Sequence, residues 1–402
     1  MTVVEISECF PTEFKPVTGE FILQHVRALS KYCKVVIIVP LRFIPPRELI
    51  FLNPFKTVSG ISKWLSSQNK MKNISENNLE IIYLKYASLP RTFFESTDNS
   101  VINFFFYNRL KKLLTRIKPD LIYCHWIRPW ARLSSELADE FKIPFVIDHH
   151  EDIPTLKKIF PDIYKKYLKI FEKTDGIVVH SSINKSELME EHLKIPGVKV
   201  NYLGQNFSAG KEQKKFSSHI NNIICVSHLY ERRKNIDDLI RAASLIKGKI
   251  EFRLTIAGEG VLKNEYMELA DSLGLTNEIL FTGKKSQDEI SSLLDGADIF
   301  VLPSYPEAFG IVFIEALAKG LPVITCFGNG GGEELKLLGY PVVMVKPNSP
   351  SDLADAILKL LNDKNKMQEM SETGKVIVEK YFSWDKNAKN TYEYLKQLTK
   401  QR

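Results

Sequence analysis

The sequence predicts an α/β protein with two Rossmann-like parallel-sheet domains, and three observations carry that prediction. The chain has 402 residues, 44% of them apolar and 26% charged, enough for two globular cores. Short β-branched runs alternate with longer helical patterns almost from end to end, as in a parallel sheet wrapped by helices. The rhythm breaks at residues 206–219 (NFSAGKEQKKFSSH), a polar, periodless stretch that reads as a linker.

The elements follow in order. The first domain, residues 1–205, offers strands at 3–6, 34–39, 79–84, 120–124, 144–148, 176–179 and 199–203. After a linker at 206–220, the second domain, 221–380, offers strands at 222–226, 253–257, 278–281, 298–302, 322–325 and 342–345. Residues 45–75 form the one extended irregular stretch, and the tail, 381–402, has a helical pattern that includes the aromatics Phe382, Trp384, Tyr392 and Tyr394. Open α/β sheets bind ligands at their carboxyl ends, so two such sheets facing each other predict an active site in the cleft between them.

Composition excludes several classes. No run approaches the ~18 apolar residues of a membrane span, and the opening MTVVEISECF lacks a basic stretch followed by a long apolar one. Five scattered cysteines, with no C-x-x-C pair, read as reduced thiols. A cytoplasmic protein is expected, with no metal site and no cofactor. The net charge of +7 lies wholly in the first half, where residues 1–204 hold 29 Lys/Arg against 22 Asp/Glu. That asymmetry points to an anionic surface, a membrane rather than nucleic acid. Residues 155–173 and 103–118 interleave lysines with apolar residues, as an interfacial helix does and as an ordinary surface helix also does.

The most informative segment is 303–325 (PSYPEAFGIVFIEALAKGLPVIT). Glu307 falls in the turn after a short apolar strand, and Glu315 about a turn into the following helix. The amides of Phe309, Gly310 and Ile311 at the helix start could hold an anion, with carboxylates on either side for hydroxyl groups. A diphosphate with a sugar at each end fits. Upstream, Arg232, Arg233 and Lys234 form a basic turn between a strand and a helix. The chain has no Asp-x-Asp pair to anchor a metal, so fixed cations and helix dipoles must stabilise a departing diphosphate.

Taken with Gly310, the small-residue run 316–318 and the Gly320-Leu321-Pro322 stop, the segment resembles the retaining glycosyltransferases of family four, whose fold is GT-B. The resemblance implies that Lys234 holds the donor diphosphate, Glu315 the ribose, and Glu307 with the 309–311 amides the sugar. His228 and Ser227 stand where the family has arginine and glycine, so either Arg232 or Arg233 compensates, or His228 is charged, or donor affinity is weak. The run PFVIDHHEDI resembles the family's His-Gly-x-Asp, with His149 matching the histidine. Gly19 resembles the glycine of the phosphate loop, with Glu20 and Lys15 beside it. Gly258, in Gly258-Glu259-Gly260, ends a strand where backbone can pass close to a base, and Gly330-Gly331-x-x-Glu334 resembles the family's glycine pair near the donor. The implied activity is hexosyl transfer from a UDP- or GDP-sugar to a glycan, with a lipid-linked oligosaccharide of bacterial surface polysaccharide, such as lipopolysaccharide, as candidate acceptor. The terminal helix is expected to return to the first domain. Two other classes fit the same features: a sugar-nucleotide epimerase or phosphorylase, and a non-catalytic partner subunit that binds a sugar nucleotide.

Overall fold

The computed structural model describes residues 1–12, 18–45, 54–67, 71–88, 91–159, 161–191, 194–195, 197–205, 207, 214–216 and 220–401. They divide into two compact units. One comprises Met1–His180, Lys185–Asn201 and Trp384–Arg402; the other comprises Ser181–Asn184 and Tyr202–Ser383.

The first unit is built on eight strands: β1 (Thr2–Ile6), β2 (Lys34–Phe43), β3 (Ile74–Glu76), β4 (Leu79–Ala87), β5 (Leu121–His125), β6 (Phe145–His149), β7 (Gly176–Val179) and β8 (Val198–Val200). Their order is β3-β4-β2-β1-β5-β6-β7-β8, with only β3 antiparallel to its neighbour. Burial on both faces explains the near-continuous apolar runs. Side-chain alternation assigns Val4, Ile6, Val36, Ile38, Ile122 and Ile147 to one core layer, beneath the helices Arg91–Ile117, Ala131–Phe141 and Pro161–Phe171. Val3, Val35, Ile37, Leu121, Tyr123 and Val146 face the other layer, where the helix Glu20–Leu29 packs through Ile22, Val26 and Leu29. The last helix, Trp384–Gln401, joins this layer through Ala388 and Leu395. A Cβ on Gly176 would come within 2.2 Å of the Tyr394 hydroxyl, so only glycine admits that helix so close to β7.

The second unit has six strands: β9 (Asn221–Val226), β10 (Phe252–Ala257), β11 (Ile279–Gly283), β12 (Ile299–Val301), β13 (Val323–Cys326) and β14 (Val343–Val345). They are all parallel, in the order β11-β10-β9-β12-β13-β14. Numbered within the unit this is 3-2-1-4-5-6, the doubly wound order whose switch point lies between its first and fourth strands.

All thirteen expected strands form. Residues 45–75, read as irregular, hold a helix, Pro54–Ser67, and the short β3. The second unit begins at Tyr202, four residues before the expected linker, because Tyr202 packs on Phe382 at 5.2 Å and its hydroxyl donates to Glu334. Most of 206–219 lies outside the described residues.

Residues 155–173 and 103–118, open to an interfacial and an ordinary surface-helix reading, both place apolar residues in the core. The first is two helices, Ile153–Ile159 and Pro161–Phe171, with Leu156, Tyr164, Tyr167 and Phe171 in the core. The second spends Phe106, Leu110 and Leu114 the same way. Lys157, Lys158, Lys165, Lys166 and Lys169 face solvent. Among the described residues, no helix is long and apolar enough to cross a membrane.

Candidate functional site

At the switch point of the second sheet two loops meet, one after β9 and one after β12. The first tightens into a single turn of 3-10 helix, Arg232–Lys234, ending at Asn235 in the left-handed region (φ 51°). The second, from Leu302 to Gly310, leads into the helix Ile311–Ala318. The Tyr305 amide donates to the Arg233 carbonyl at 2.8 Å, and the Asn235 side chain to the Pro303 carbonyl at 2.9 Å. Those bonds lock the basic turn against the acidic one.

The side chains converge accordingly. Lys234 Nζ pairs with Glu307 Oε2, both nearly buried. Arg233 Nη1 lies 3.7 Å from Glu307 Oε1 and donates to the Pro306 carbonyl at 2.9 Å. Burial alone would raise the Glu307 pKa, but Lys234 and then Arg233 outweigh it, and the carboxyl is held below its ordinary value. Glu307 is therefore an acceptor-only anion with fixed partners.

Arg232 does not join them. Its guanidinium is bound to Glu265 through two bonds, of 2.7 and 2.8 Å, on the exposed side of the turn. His228 is half exposed, and burial, followed by Lys234, lowers its pKa, so it is neutral at pH 7. Of the two arginines, Arg233 faces Glu307 and Arg232 faces Glu265.

The helix start is shaped by glycine. Gly310 caps it at φ 79°, and a Cβ there would stand 2.9 Å from the Phe313 ring. The amides of the first turn, at Ile311 and Val312, have no carbonyl partner within the helix. Phe309 is buried beside Phe382, with ring centroids 5.7 Å apart. Glu315, on the same helix, is 7% exposed, and burial pushes its carboxyl up to about 7 against a hydrogen bond from Gln287.

The glycines Gly330 and Gly331 serve packing. A Cβ on either would lie 2.3 Å from the Ala308 carbonyl oxygen or 1.9 Å from that of Phe309, so the helix Gly330–Leu337 rests directly on the acidic loop. The Gly330 amide donates to the Glu307 carbonyl at 2.8 Å. Glu334, expected beside the donor, accepts from the Ser182 hydroxyl at 3.0 Å and from Tyr202. Gly258 similarly has a packing role: the Ser227 carbonyl oxygen would lie 1.8 Å from a Cβ there.

Gly19 and His149 belong to the first unit. Gly19 opens the helix Glu20–Leu29 at φ 73°, and a Cβ would lie 2.3 Å from the Cys9 carbonyl oxygen; Lys15 lies outside the described residues. His149 ends β6. Its ring packs edge-on to Phe171 at 5.2 Å, and burial, followed by His150 and His180, lowers its pKa to about 3. The imidazole is therefore neutral, and both of its nitrogens are buried. Strand alternation turns Asp148 and His150 the opposite way.

That opposite side holds a group which sequence reasoning missed. Glu5, in the middle of β1, takes His125 Nε2 on one oxygen at 2.7 Å and faces His25 Nε2 with the other at 3.4 Å. Asp148 faces His125 Nδ1 at 3.1 Å, His150 at 3.3 Å and His180 at 2.9 Å. His25 meets Asn387 of the last helix at 2.7 Å. Two sets, Glu5–His25–His125 and His125–Asp148–His150, bring their ligand atoms within 4.8 Å, although each His125 nitrogen already faces a carboxylate. Burial opposes every charge here. The histidines nonetheless hold Glu5 at about 2, and the two carboxylates raise His125 to about 9.

Comparison with known proteins agrees with both units. The family model described as Glycosyl transferases group 1 matches residues 210–376, and the one described as Glycosyltransferase Family 4 matches 73–204. The chain belongs to this glycosyltransferase family and has the GT-B fold. It is 25% identical over 292 residues to N-acetyl-alpha-D-glucosaminyl L-malate synthase of Bacillus anthracis, covering 69% of this chain and 75% of that one. It is 31% identical over 183 residues to the GDP-mannose-dependent alpha-(1-6)-phosphatidylinositol monomannoside mannosyltransferase of Mycobacterium tuberculosis, covering 43% and 47%. In structure it resembles sucrose-phosphate synthase of Thermosynechococcus elongatus, with a TM-score of 0.76, 18% identity and full coverage of both chains. It also resembles HepE of Anabaena, solved with UDP and glucose, with a TM-score of 0.71, 16% identity and coverage of 99% and 100%.

Proposed function

We propose that this glycosyltransferase takes a hexose from a UDP- or GDP-sugar and passes it to a glycan acceptor with retention of anomeric configuration. The observation that carries the reading is the buried Lys234–Glu307 pair, flanked by Arg233 at the switch point of the second sheet. Lys234 and Arg233 supply charge to the diphosphate. The first-turn amides behind Gly310 add dipoles aimed at the same anion. Glu307 accepts from sugar hydroxyls, and Glu315 accepts from the ribose. With cations and amides in that role, transfer needs no divalent ion. The bound UDP and glucose of HepE and the GDP-mannose dependence of the mycobacterial relative support a nucleotide-sugar donor.

The phosphatidylinositol mannoside named for that relative also favours a lipid-linked acceptor. On this reading the enzyme builds surface polysaccharide at the cytoplasmic face of a membrane. All five cysteines are free thiols, as a reducing compartment maintains.

The test is transfer from a panel of UDP- and GDP-sugars in the presence of EDTA, by wild type and by Glu307→Gln. The variant keeps the shape and removes the charge, and a fall of about 10²–10³ in kcat is expected, the size of losing one preorganised electrostatic contact. A Glu307→Gln enzyme as fast as wild type would overturn the site, and activity abolished by EDTA would overturn metal independence.

A further inference from the structure

Beside the carboxyl end of β4 the first unit contains a cavity of about 440 Å³, within the range of small-molecule sites. Val58, Ile61 and Leu65 of the helix Pro54–Ser67 form one wall, and Phe106 of the helix Arg91–Ile117 forms another, with Tyr86 and Ala87 at the base. Ser62 and Ser88 add hydroxyls to the lining, and its charged groups are cationic. Arg109 lies 5.8 Å from the Phe106 ring centroid and donates to the Lys85 carbonyl at 3.2 Å, and both cations line the cavity; among the described residues no carboxylate does.

Two further features give the cavity a direction. The Tyr86 hydroxyl donates to Glu8, on the loop that follows β1, which ties the base of the cavity to the strand ends where an open α/β sheet receives its ligand. In the other direction Val58 is 67% exposed, and Phe55, three residues earlier on the same helix face, is 84% exposed. An apolar strip thus leads out of the cavity toward solvent.

We propose that this cavity holds the hydrocarbon tail of the acceptor, an amphiphile with an anionic phosphate at its polar end. Charge complementarity selects that occupant: an apolar trough bordered by an arginine and a lysine matches a chain ending in phosphate, and it disfavours a cationic or neutral one. The inference rests on the proposed glycosyl transfer and names the acceptor's class.

The test is calorimetric titration of the full chain with monomeric n-alkyl phosphates of eight to fourteen carbons. Each methylene buried is worth ~0.8 kcal/mol, so affinity should tighten about fourfold per carbon until the cavity is full. Alkyl trimethylammonium ions of equal length should bind at least tenfold more weakly. Ser62→Trp, on an exposed lining position, should weaken alkyl phosphate at least tenfold with the melting midpoint unchanged. Arg109→Glu, which leaves the cavity open, should reverse the head-group preference. Affinity independent of chain length, or a head-group preference that survives Arg109→Glu, would sink the proposal. Retention on anionic vesicles undiminished by saturating alkyl phosphate would assign the face to bulk lipid. A dimer that alkyl phosphate does not dissociate would assign it to a second copy. Each of these outcomes overturns the proposal. Because the titration needs no donor, it can fail while UDP- or GDP-sugar turnover succeeds, and the reverse.

Discussion

The two units wind their parallel strands in the same way and put opposite chemistry at the turning point. In the first, β1 and β5 flank the switch, and Glu5, His25, His125 and Asp148 neutralise one another inside the protein. In the second, β9 and β12 flank it, and the charges of Arg233, Lys234 and Glu307 sit on loops beyond the strand ends. A charge within a strand is committed to holding the sheet. A charge one loop further on is rigidly held and can still meet a ligand.

The largest expected effect tests the structural side of that contrast. Glu5→Ala leaves His125 and His25 buried without their carboxylate, and breaking a buried pair costs about 3–5 kcal/mol. The last helix should loosen too, because His25 reaches it through Asn387. Denaturant unfolding would register the loss; a midpoint within experimental error of wild type would show that the network contributes nothing. Its pH dependence has a definite sign. Glu5 is depressed, so its contribution is complete above its ordinary value near 4.5 and disappears as pH falls through about 2. His125 is raised, so its contribution is complete below about 6.5 and disappears as pH rises through about 9.

Much of this was legible in the sequence, for identifiable reasons. Central strands buried on both faces, such as β1, β5 and β6, give continuous apolar runs and were visible; β3 was not, because Ile74, Ser75 and Glu76 are exposed and carry no apolar pattern. The helix Pro54–Ser67 was hidden by its interior Gly60 and its lack of acidic residues in the first turn. Residues 303–325 announced themselves because loop and helix are contiguous. The network of the first unit could not, as its members lie at 5, 25, 125, 148, 150 and 180. One signal was present: Glu5 interrupts an otherwise apolar strand, and a carboxylate there requires partners. Which layer His149 and His150 each face depends on a single residue of strand alternation, which adjacent histidines do not reveal.

A middle-sized effect sharpens the ligand side of the contrast. Glu315 differs from Glu5 in that burial outweighs its hydrogen bond from Gln287, so its pKa rises to about 7. A ribose-binding carboxylate accepts best when ionised, so donor binding should expel the proton. Apparent affinity for the donor should then be about tenfold weaker at pH 6 than at pH 8, one pKa unit being about 1.4 kcal/mol. Glu315→Gln should bind weakly and without that slope. Equal affinities at the two pH values in wild type would remove Glu315 from the donor site.

The smallest effect discriminates within a single turn. Arg232 and Arg233 are adjacent, and composition alone makes them equivalent. Arg232 is bound to Glu265 in an exposed pair, which solvent screens, so it contributes little to stability. Arg233 is held by the Pro306 carbonyl and faces Glu307. Arg232→Ala should therefore leave donor affinity within twofold of wild type, and Arg233→Ala should weaken it at least tenfold. The reverse ranking would mean that the guanidinium of Arg232 leaves Glu265 when the diphosphate arrives. Rigid placement by the loops would then not be what separates the proposed ligand-binding charges of the second unit from the structural charges of the first.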